Sequence, residues 1–543
     1  MEEITLEIPS AVNEPIRDYT PGSPESISLK SKLAEMENES YDIPIIIGGK
    51  EIFTGNKEQC RKPHDHQDIL ADYHKAGAEE VHQAIDTALE AWHSWSNTPL
   101  RERTIIFRRA AELLAGPWRD TINAATMLSQ SKNVFQAEID AACELIDFFN
   151  FNCQFAEEIC NNQPLISPEG MHNSLEYRAL EGFVFAVSPF NFTSIAGNLP
   201  SAPALMGNVA LWKPASSSVY SGYFIMKLLQ EAGLPDGVIN FLPGSGGEVG
   251  NPVMDSPHLA GIHFTGSTAV FQGMWKRIGD NISTYHTYPR IVGETGGKDF
   301  ILAHESADPA ALATAMVRGA FEYQGQKCSA ASRCYIPESL WDDVKEKYLS
   351  QVADIKMGDV IDFSNFMNAV IDEASFDNIS SYIDYAKNSS EAEIISGGGY
   401  DKTKGYFIEP TTILTTNAYF KTMEEEIFGP VLTIYLYNES WDDICTIVDV
   451  TSPYSLTGAI FAKDKKAVDS GRKMLSQSAG NFYINDKPSG AVVGQQPFGG
   501  SRASGTNDKA GSPLNLYRWV SLRTVKETFD PPTDYRYPFM GEN

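Results

Sequence analysis

Apolar residues recur at three- and four-residue intervals over 77–95, 100–114 and 134–160, which predicts three amphipathic helices. In the third, Ala141, Leu145, Phe148 and Phe149 share one face. From Gly182 the pattern changes. Short apolar runs at 182–187, 209–212, 239–242 and 262–264 read as strands, with helical stretches such as 219–232 between them and 268–278 after them. A second series follows, with strands at 299–303, 334–336, 431–437 and 457–461 and helices at 309–323 and 341–352. Pro309 suits the first turn of its helix, where no N–H is required. Strand and helix in alternation predict an α/β protein of two domains with parallel sheets and right-handed crossovers. Ligands bind such sheets beyond the carboxyl ends of the strands, so the residues after each strand are the ones to inspect. Residues 1–40 are polar and read as a loose arm with a short helix at 29–37. The tail 522–543, rich in Pro and Tyr, reads as extended and able to pair with 175–179 as a protruding sheet.

The chain has 543 residues, too many for a single core. Its 71 acidic and 43 basic residues give a net charge of −28, which repels phosphate backbones and anionic lipid and favours solubility. Nucleic-acid and membrane-surface binding are therefore not expected. No run approaches the roughly 18 apolar residues of a membrane span. The N-terminal Met-Glu-Glu-Ile-Thr-Leu-Glu has neither a basic, apolar signal pattern nor an acid-poor transit pattern, so a cytoplasmic protein is expected. Seven cysteines without a Cys-x-x-Cys pair indicate neither a disulfide framework nor a metal site.

One of those cysteines has a distinctive context. Cys328 lies in Tyr-Gln-Gly-Gln-Lys-Cys-Ser, where Gly325 breaks the preceding helix and Lys327 adds positive charge. Such a turn can lower a thiol pKa and aim the sulfur into a cleft. Glu294, in Val-Gly-Glu-Thr-Gly-Gly-Lys, is a carboxylate on a mobile turn, suited to act as a base through water. Asn191, just past the strand at 182–187, is a candidate oxyanion donor. Taken singly, the Cys328 and Glu294 contexts fit an inert buried thiol and an exposed loop acid better, and Asn191 fits a turn residue or helix cap as well as a donor. The run Gly244-Ser-Gly-Gly-Glu-Val-Gly250 is not the dinucleotide fingerprint, because Val249 holds its last position. Phe264-Thr-Gly-Ser267 joins a strand to a helix, whose N-terminus could take a pyrophosphate.

Together these segments resemble the aldehyde dehydrogenase superfamily, in order over roughly residues 40–540. The pieces are Pro-Phe-Asn-Phe at 189–192, Trp-Lys-Pro at 212–214, Phe-Thr-Gly-Ser at 264–267 and Gly-Glu-Thr-Gly-Gly-Lys at 293–298. Gly-Gln-Lys-Cys at 325–328, Glu-Ile-Phe-Gly-Pro at 426–430 and Pro-Phe-Gly-Gly at 497–500 complete the set. Within the superfamily, 321–330, 479–487 and 494–509 are most similar to the 1-pyrroline-5-carboxylate dehydrogenase family. The resemblance implies an aldehyde dehydrogenase-like fold. Residues 1–165 and 186–291 would form a dinucleotide-binding domain and 292–521 a catalytic domain. Residues 166–185 and 522–543 would form a protruding oligomerisation arm.

The resemblance also implies roles. Cys328 would attack the aldehyde, Asn191 would hold the oxyanion, and Glu294 would activate water against the thioester. NAD is the expected cofactor, with NADP admitted because Ser216 stands where NAD-selective relatives often carry an acid. Lys213 would reach the adenosine ribose. Gly246, Gly266 and Ser267 would lie along the pyrophosphate, and Ser188 would supply backbone contacts. Glu426 would bind the nicotinamide ribose beside Phe428. For the substrate, glutamate γ-semialdehyde, Ser329, Gly490 and Ala491 would anchor the carboxylate. Phe192 and Phe498 would flank the aliphatic segment and Glu144 would face the amine. The substrate would come from a separate proline dehydrogenase, and the enzyme would be a homodimer or a larger homo-oligomer. A CoA-acylating relative would lack the base at Glu294. An inactive paralogue would have lost Cys328, Asn191 or Glu294. A cysteine hydrolase would need a histidine partner, and none lies in these motifs.

Overall fold

The computed structural model describes residues 10–541. Two seven-stranded sheets organise them. In the first, the order is Arg290–Glu294, Leu259–Thr265, Phe183–Val187, Val209–Lys213, Ile239–Phe241, Ile45–Ile47, Lys50–Ile52. The first five strands are parallel, and the last two join antiparallel. The chain runs outward from Phe183–Val187 in one direction and then returns to add Leu259–Thr265 on its other side. That reversal opens a crevice beyond the carboxyl ends of these two strands. Asn191 follows one of them and Gly266 follows the other.

The second sheet has the order Ala392–Ser396, Thr411–Thr415, Val431–Tyr437, Ala331–Pro337, Asp299–Ala303, Thr457–Phe461, Asn481–Ile484. Only its first strand is antiparallel to its neighbour. Alternate residues of Asp299–Ala303 enter two separate cores, Ile301 and Ala303 on one face and Phe300 and Leu302 on the other. Only residues 295–298 separate the edge strand of the first sheet, ending at Glu294, from Asp299 at the start of a strand in the second. The carboxyl end of one sheet therefore meets the amino end of the other, and the chemistry sits at that seam.

A ribbon outside both sheets pairs Met171–Arg178 with Ser521–Thr528, Leu175 opposite Thr524. Phe183–Val187 lies in the first sheet and not in this ribbon. Just before the ribbon's second strand, Trp519 is buried in the first domain's core. Its carbonyl accepts from the Asn208 side chain at 2.8 Å, and its ring lies 4.7 Å from that of His263.

Three expectations change. The predicted helix at 134–160 is interrupted: Val134–Ala137 is α-helical, Glu138–Cys143 forms a π turn, and Glu144–Asn161 resumes the α-helix. The described part of the arm, from residue 10, is docked: Tyr19 is buried and its hydroxyl donates to Glu138 at 2.9 Å. Its helix is longer than predicted, Pro24–Glu37, because Ser23 caps it by accepting from the Ser26 amide and Pro24 sits in its first turn. Residues 1–9 of that expectation lie outside the described residues. Among the described residues, no helix is long and apolar enough to cross a membrane. All seven cysteines are free thiols.

Candidate active site

The turn that carries Cys328 is built from backbone conformations that the sequence does not favour. Helix Pro309–Phe321 stops, and Tyr323, Gln324 and Gly325 follow with φ of 51°, 54° and 65°. Two non-glycine residues in this left-handed region cost about 1–2 kcal/mol each and need outside support. Gln324 supplies it: its side-chain amide donates to the carbonyls of Ser131 at 3.0 Å and Ala369 at 2.8 Å, and its oxygen accepts from the Asn368 amide at 3.0 Å. Gln326 accepts from the Ile371 amide at 2.9 Å. Gly325 is required twice, for its φ and because a Cβ there would lie 2.2 Å from the Gly429 carbonyl oxygen.

Asn191 reaches this turn directly. Its Nδ2 donates to the carbonyl of Gln326, two residues before Cys328, at 2.9 Å. One amide hydrogen is thus committed to positioning, and the other is free in geometry for a ligand oxygen. Glu294 ends its strand, and its carbonyl accepts from the Gly266 amide at 3.1 Å. Burial raises its carboxyl pKa to about 8, with Asp508 adding to the rise and Lys509 opposing it. The following glycines serve close packing. A Cβ at Gly296 would lie 2.3 Å from the Glu426 carboxylate, and one at Gly297 would lie 2.1 Å from the Cys328 carbonyl oxygen.

The expected depression of the Cys328 pKa is not found. Burial, then the Glu294, Asp299 and Glu426 carboxylates, hold the thiol well above its usual value. Lys327 does not relieve it. Its ammonium turns to Asp140 at 3.5 Å and Glu322 at 3.8 Å.

Cys328 lines two cavities. The larger, about 790 Å³, also has Asn191, Ser188, Lys213, Gly246, Gly266, Ser267, Glu426 and Phe428 in its walls. Ser216 is not among them: it begins a short exposed turn after Lys213, and Ala215 lines the cleft instead. Gly246 and Ser267 stand at the N-terminal ends of helices Gly246–Asp255 and Thr268–Asp280, which favour an anionic ligand. Burial lowers the Lys213 pKa to about 8, and its ammonium donates to the Pro214 carbonyl at 3.1 Å. Glu426 accepts from the Gly297 amide at 2.9 Å, and burial raises its pKa to about 7. The smaller cavity, about 70 Å³, is lined by Glu294, Cys328, Glu144, Phe192, Ser329, Gly490, Ala491 and Phe498.

A model of the aldehyde dehydrogenase family matches residues 53–525. This chain belongs to that family. It is 53% identical, over 98% of its length and 96% of the relative's, to the delta-1-pyrroline-5-carboxylate dehydrogenase, mitochondrial, of Dictyostelium discoideum. Its identity to the delta-1-pyrroline-5-carboxylate dehydrogenase of Agaricus bisporus is 49%, over 98% of each chain. The crystal structure of the delta-pyrroline-5-carboxylate dehydrogenase from Mycobacterium tuberculosis bound with NAD covers 100% of both chains, with a TM-score of 0.96 and 49% identity.

Aldehyde dehydrogenase motifs do not reveal the charge buried behind the small pocket of this chain. The Lys132 ammonium lies 4.5 Å from the Phe192 ring centre and 4.4 Å from that of Tyr323, and donates to Asp140 at 2.7 Å. Burial lowers its pKa to about 8. Asp140 is thus shared between Lys132 and Lys327, while Glu144 accepts from the Ser194 hydroxyl. Burial, then Asp140, raises the Glu144 pKa to about 8. The π turn brings Asp140 and Glu144 to the same pocket wall. The family resemblance pointed to Glu144; for Asp140, the sequence signal was its place in a run of acids, Glu138, Asp140, Glu144 and Asp147.

Proposed function

We propose that this chain oxidises L-glutamate γ-semialdehyde, the hydrolysed form of 1-pyrroline-5-carboxylate, to L-glutamate in proline catabolism, with NAD as hydride acceptor. The observation that carries the reading is that Cys328 is common to a dinucleotide-sized cleft and a small pocket. The names of relatives about half identical over the full chain support the substrate. Helix N-termini at Gly246 and Ser267, with Lys213 and Glu426 at the cleft wall, suit the pyrophosphate and ribose hydroxyls of a dinucleotide.

In this mechanism the Cys328 sulfur bonds to the aldehyde carbon, the C=O π pair moves onto the oxygen, and the thiol proton passes to water. Because the resting thiol is held protonated, that transfer accompanies attack and does not precede it. The oxygen of the resulting thiohemiacetal takes hydrogen bonds from the second Asn191 amide hydrogen and the Cys328 backbone N–H. One such donor contributes about 3 kcal/mol to the transition state. NAD, when bound, accepts the hydride, and a thioester remains on Cys328. Glu294 takes a proton from water as the water oxygen bonds to the acyl carbon. The C–S bond then breaks, and the acid leaves as the thiol is restored.

Ser329 and the Gly490 and Ala491 amides hold the substrate carboxylate, Phe192 and Phe498 flank its methylenes, and Glu144 meets its ammonium. An ammonium there favours the charged form of Glu144, which burial disfavours in its absence. Ala215, and no acid, lines the cleft beside Lys213, so NADP is admitted as a slower cofactor. Residues up to 165 with 186–291 bind the dinucleotide, 292–521 carry the chemistry, and the ribbon serves homodimer contact. A separate proline dehydrogenase feeds the pathway, and the enzyme works in the cytoplasm.

Steady-state kinetics on 1-pyrroline-5-carboxylate and a panel of aliphatic aldehydes, with NAD and NADP, test the reading. The highest kcat/KM is expected for 1-pyrroline-5-carboxylate with NAD. Better turnover of unrelated aldehydes would sink it.

A further inference from the structure

The loop at 489–496 closes the small pocket, and Gly490, Ala491, Val492, Val493 and Gln496 line it. Internal bonds shape this loop: Lys487 donates to the Ser489 carbonyl at 2.9 Å, and the Gln496 side chain accepts from the Val492 amide at 2.9 Å. Among the described residues, the Gly490 and Ala491 amides donate to no protein acceptor, which leaves them for a ligand.

The loop is also held from outside by the N-terminal arm. Asn13 Nδ2 donates to the Val493 carbonyl at 2.8 Å and to Asp147 Oδ2 at 2.8 Å, and Asn13 Oδ1 accepts from Gln495 Nε2 at 2.9 Å. The next residue fixes the arm to the same helix, as the Glu14 amide donates to Asp147 Oδ1 at 2.7 Å. Further along, the Arg17 amide donates to Glu138 at 2.9 Å, Arg119 bonds to Glu14 at 2.5 Å, and Arg119 also pairs with Glu138. Asn13 therefore links the pocket loop to the helix Glu144–Asn161, whose first residue, Glu144, also lines the pocket. Asn13 itself does not line the pocket.

The arm lies outside the family match, which begins at residue 53, whereas the relatives named for 1-pyrroline-5-carboxylate match over 98% of the chain. The brace thus ties the pocket loop to a segment that the family match does not cover. We infer that Asn13 is a positioning residue for substrate specificity, setting the Gly490–Ala491 amides at the height that a substrate carboxylate needs. This rests on the proposed use of those amides for the carboxylate. An aldehyde without a carboxylate makes no demand on them.

The test compares 1-pyrroline-5-carboxylate with pentanal in the full-length enzyme, at saturating NAD. Asn13→Ala is expected to raise KM for 1-pyrroline-5-carboxylate about five- to tenfold, the effect of losing a well-placed hydrogen bond. Its kcat, and kcat/KM for pentanal, should stay within about twofold of wild type. Asn13→Asp should do more, because it cannot donate to Val493 and sets a second carboxylate against Asp147. Gln495→Ala, which leaves the arm docked to its helix, should raise the same KM about three- to fivefold, so the series survives poor folding of either Asn13 variant. Parallel losses on both aldehydes, or no change on either, would overturn the inference. If wild type shows no preference for 1-pyrroline-5-carboxylate over pentanal, the carboxylate reading falls and the brace with it. If wild type shows the preference and Asn13→Ala retains all of it, only the brace falls.

Discussion

The large cleft takes part of its walls from segments at the ends of strands of the first sheet: Ser188–Asn191 after one, Lys213 and Ala215 at the end of the next, Gly266–Ser267 after a third. The small pocket also uses strand-end residues, Thr265 and Glu294, and adds a π turn near residue 140, the turn at 327–329 and the loop at 490–498. The cleft offers backbone amides and helix ends, features that many sequences supply. The pocket offers buried charges, Asp140, Glu144 and Lys327, each of which depends on a partner far along the chain. Generic binding is written locally, while selectivity depends on the tertiary structure.

Variants at the shared wall should separate the two regions. Cys328→Ala should lower kcat by at least about 10⁴-fold, since it removes the covalent step, while NAD affinity measured by fluorescence titration changes little. Retention of near wild-type turnover would break the picture. Glu294→Gln should lower steady-state turnover by about 10²–10⁴-fold and leave a burst of NADH from the first half-reaction. A base acts only when deprotonated, so wild-type kcat should climb as pH rises through about 8, the raised pKa of Glu294. That limb should vanish in the variant. Asn191→Ala should lower kcat by about 10²–10³-fold with smaller changes in KM, because the oxyanion forms only during reaction.

The smallest effect concerns stability. The Glu294 pKa is raised on folding, so the folded state holds a proton that the unfolded state releases from about pH 4.5 upward. Its stability contribution is full below that value and is lost as pH rises through about 8. Thermal melts of the apoenzyme should therefore show Glu294→Gln above wild type by a wider margin at pH 9 than at pH 6. An equal gap at both pH values would contradict the buried-carboxyl account.

The same contrast governs what the sequence disclosed. Continuous apolar runs gave the central strands of both sheets, because buried parallel strands need continuous hydrophobic stretches; the outer strands, such as Arg290–Glu294 and Ala392–Ser396, were not legible that way. Cys328, Glu294 and Asn191 were legible through short local motifs, and the structure brings them to adjoining cavity walls. The thiol's electrostatics were not legible. Lys327 neighbours Cys328 in sequence, yet its charge is absorbed by Asp140, which lies 187 positions earlier and is visible only once the π turn is formed. The π turn left no trace in the apolar periodicity of 134–160, since one inserted residue shifts a helical face without removing its hydrophobicity. Ser216 misled in the opposite sense: counting three residues from Lys213 assumes a continuous wall, and the chain turns outward there. The arm was read as loose because its own composition is polar. Its order comes from acceptors on a helix more than a hundred residues away, Asp147 and Glu138.

Trp519 is buried against strands completed before residue 300, and Asn208 bonds to its backbone. A nascent chain leaving the ribosome must therefore wait for more than two hundred further residues before its N-terminal domain can close its hydrophobic interior. Such late closure exposes an unfinished surface throughout synthesis, a window in which chaperone capture competes with misassembly. A premature stop just before Leu516 would leave the catalytic sheet untouched and still deprive the other domain of its last structural plug.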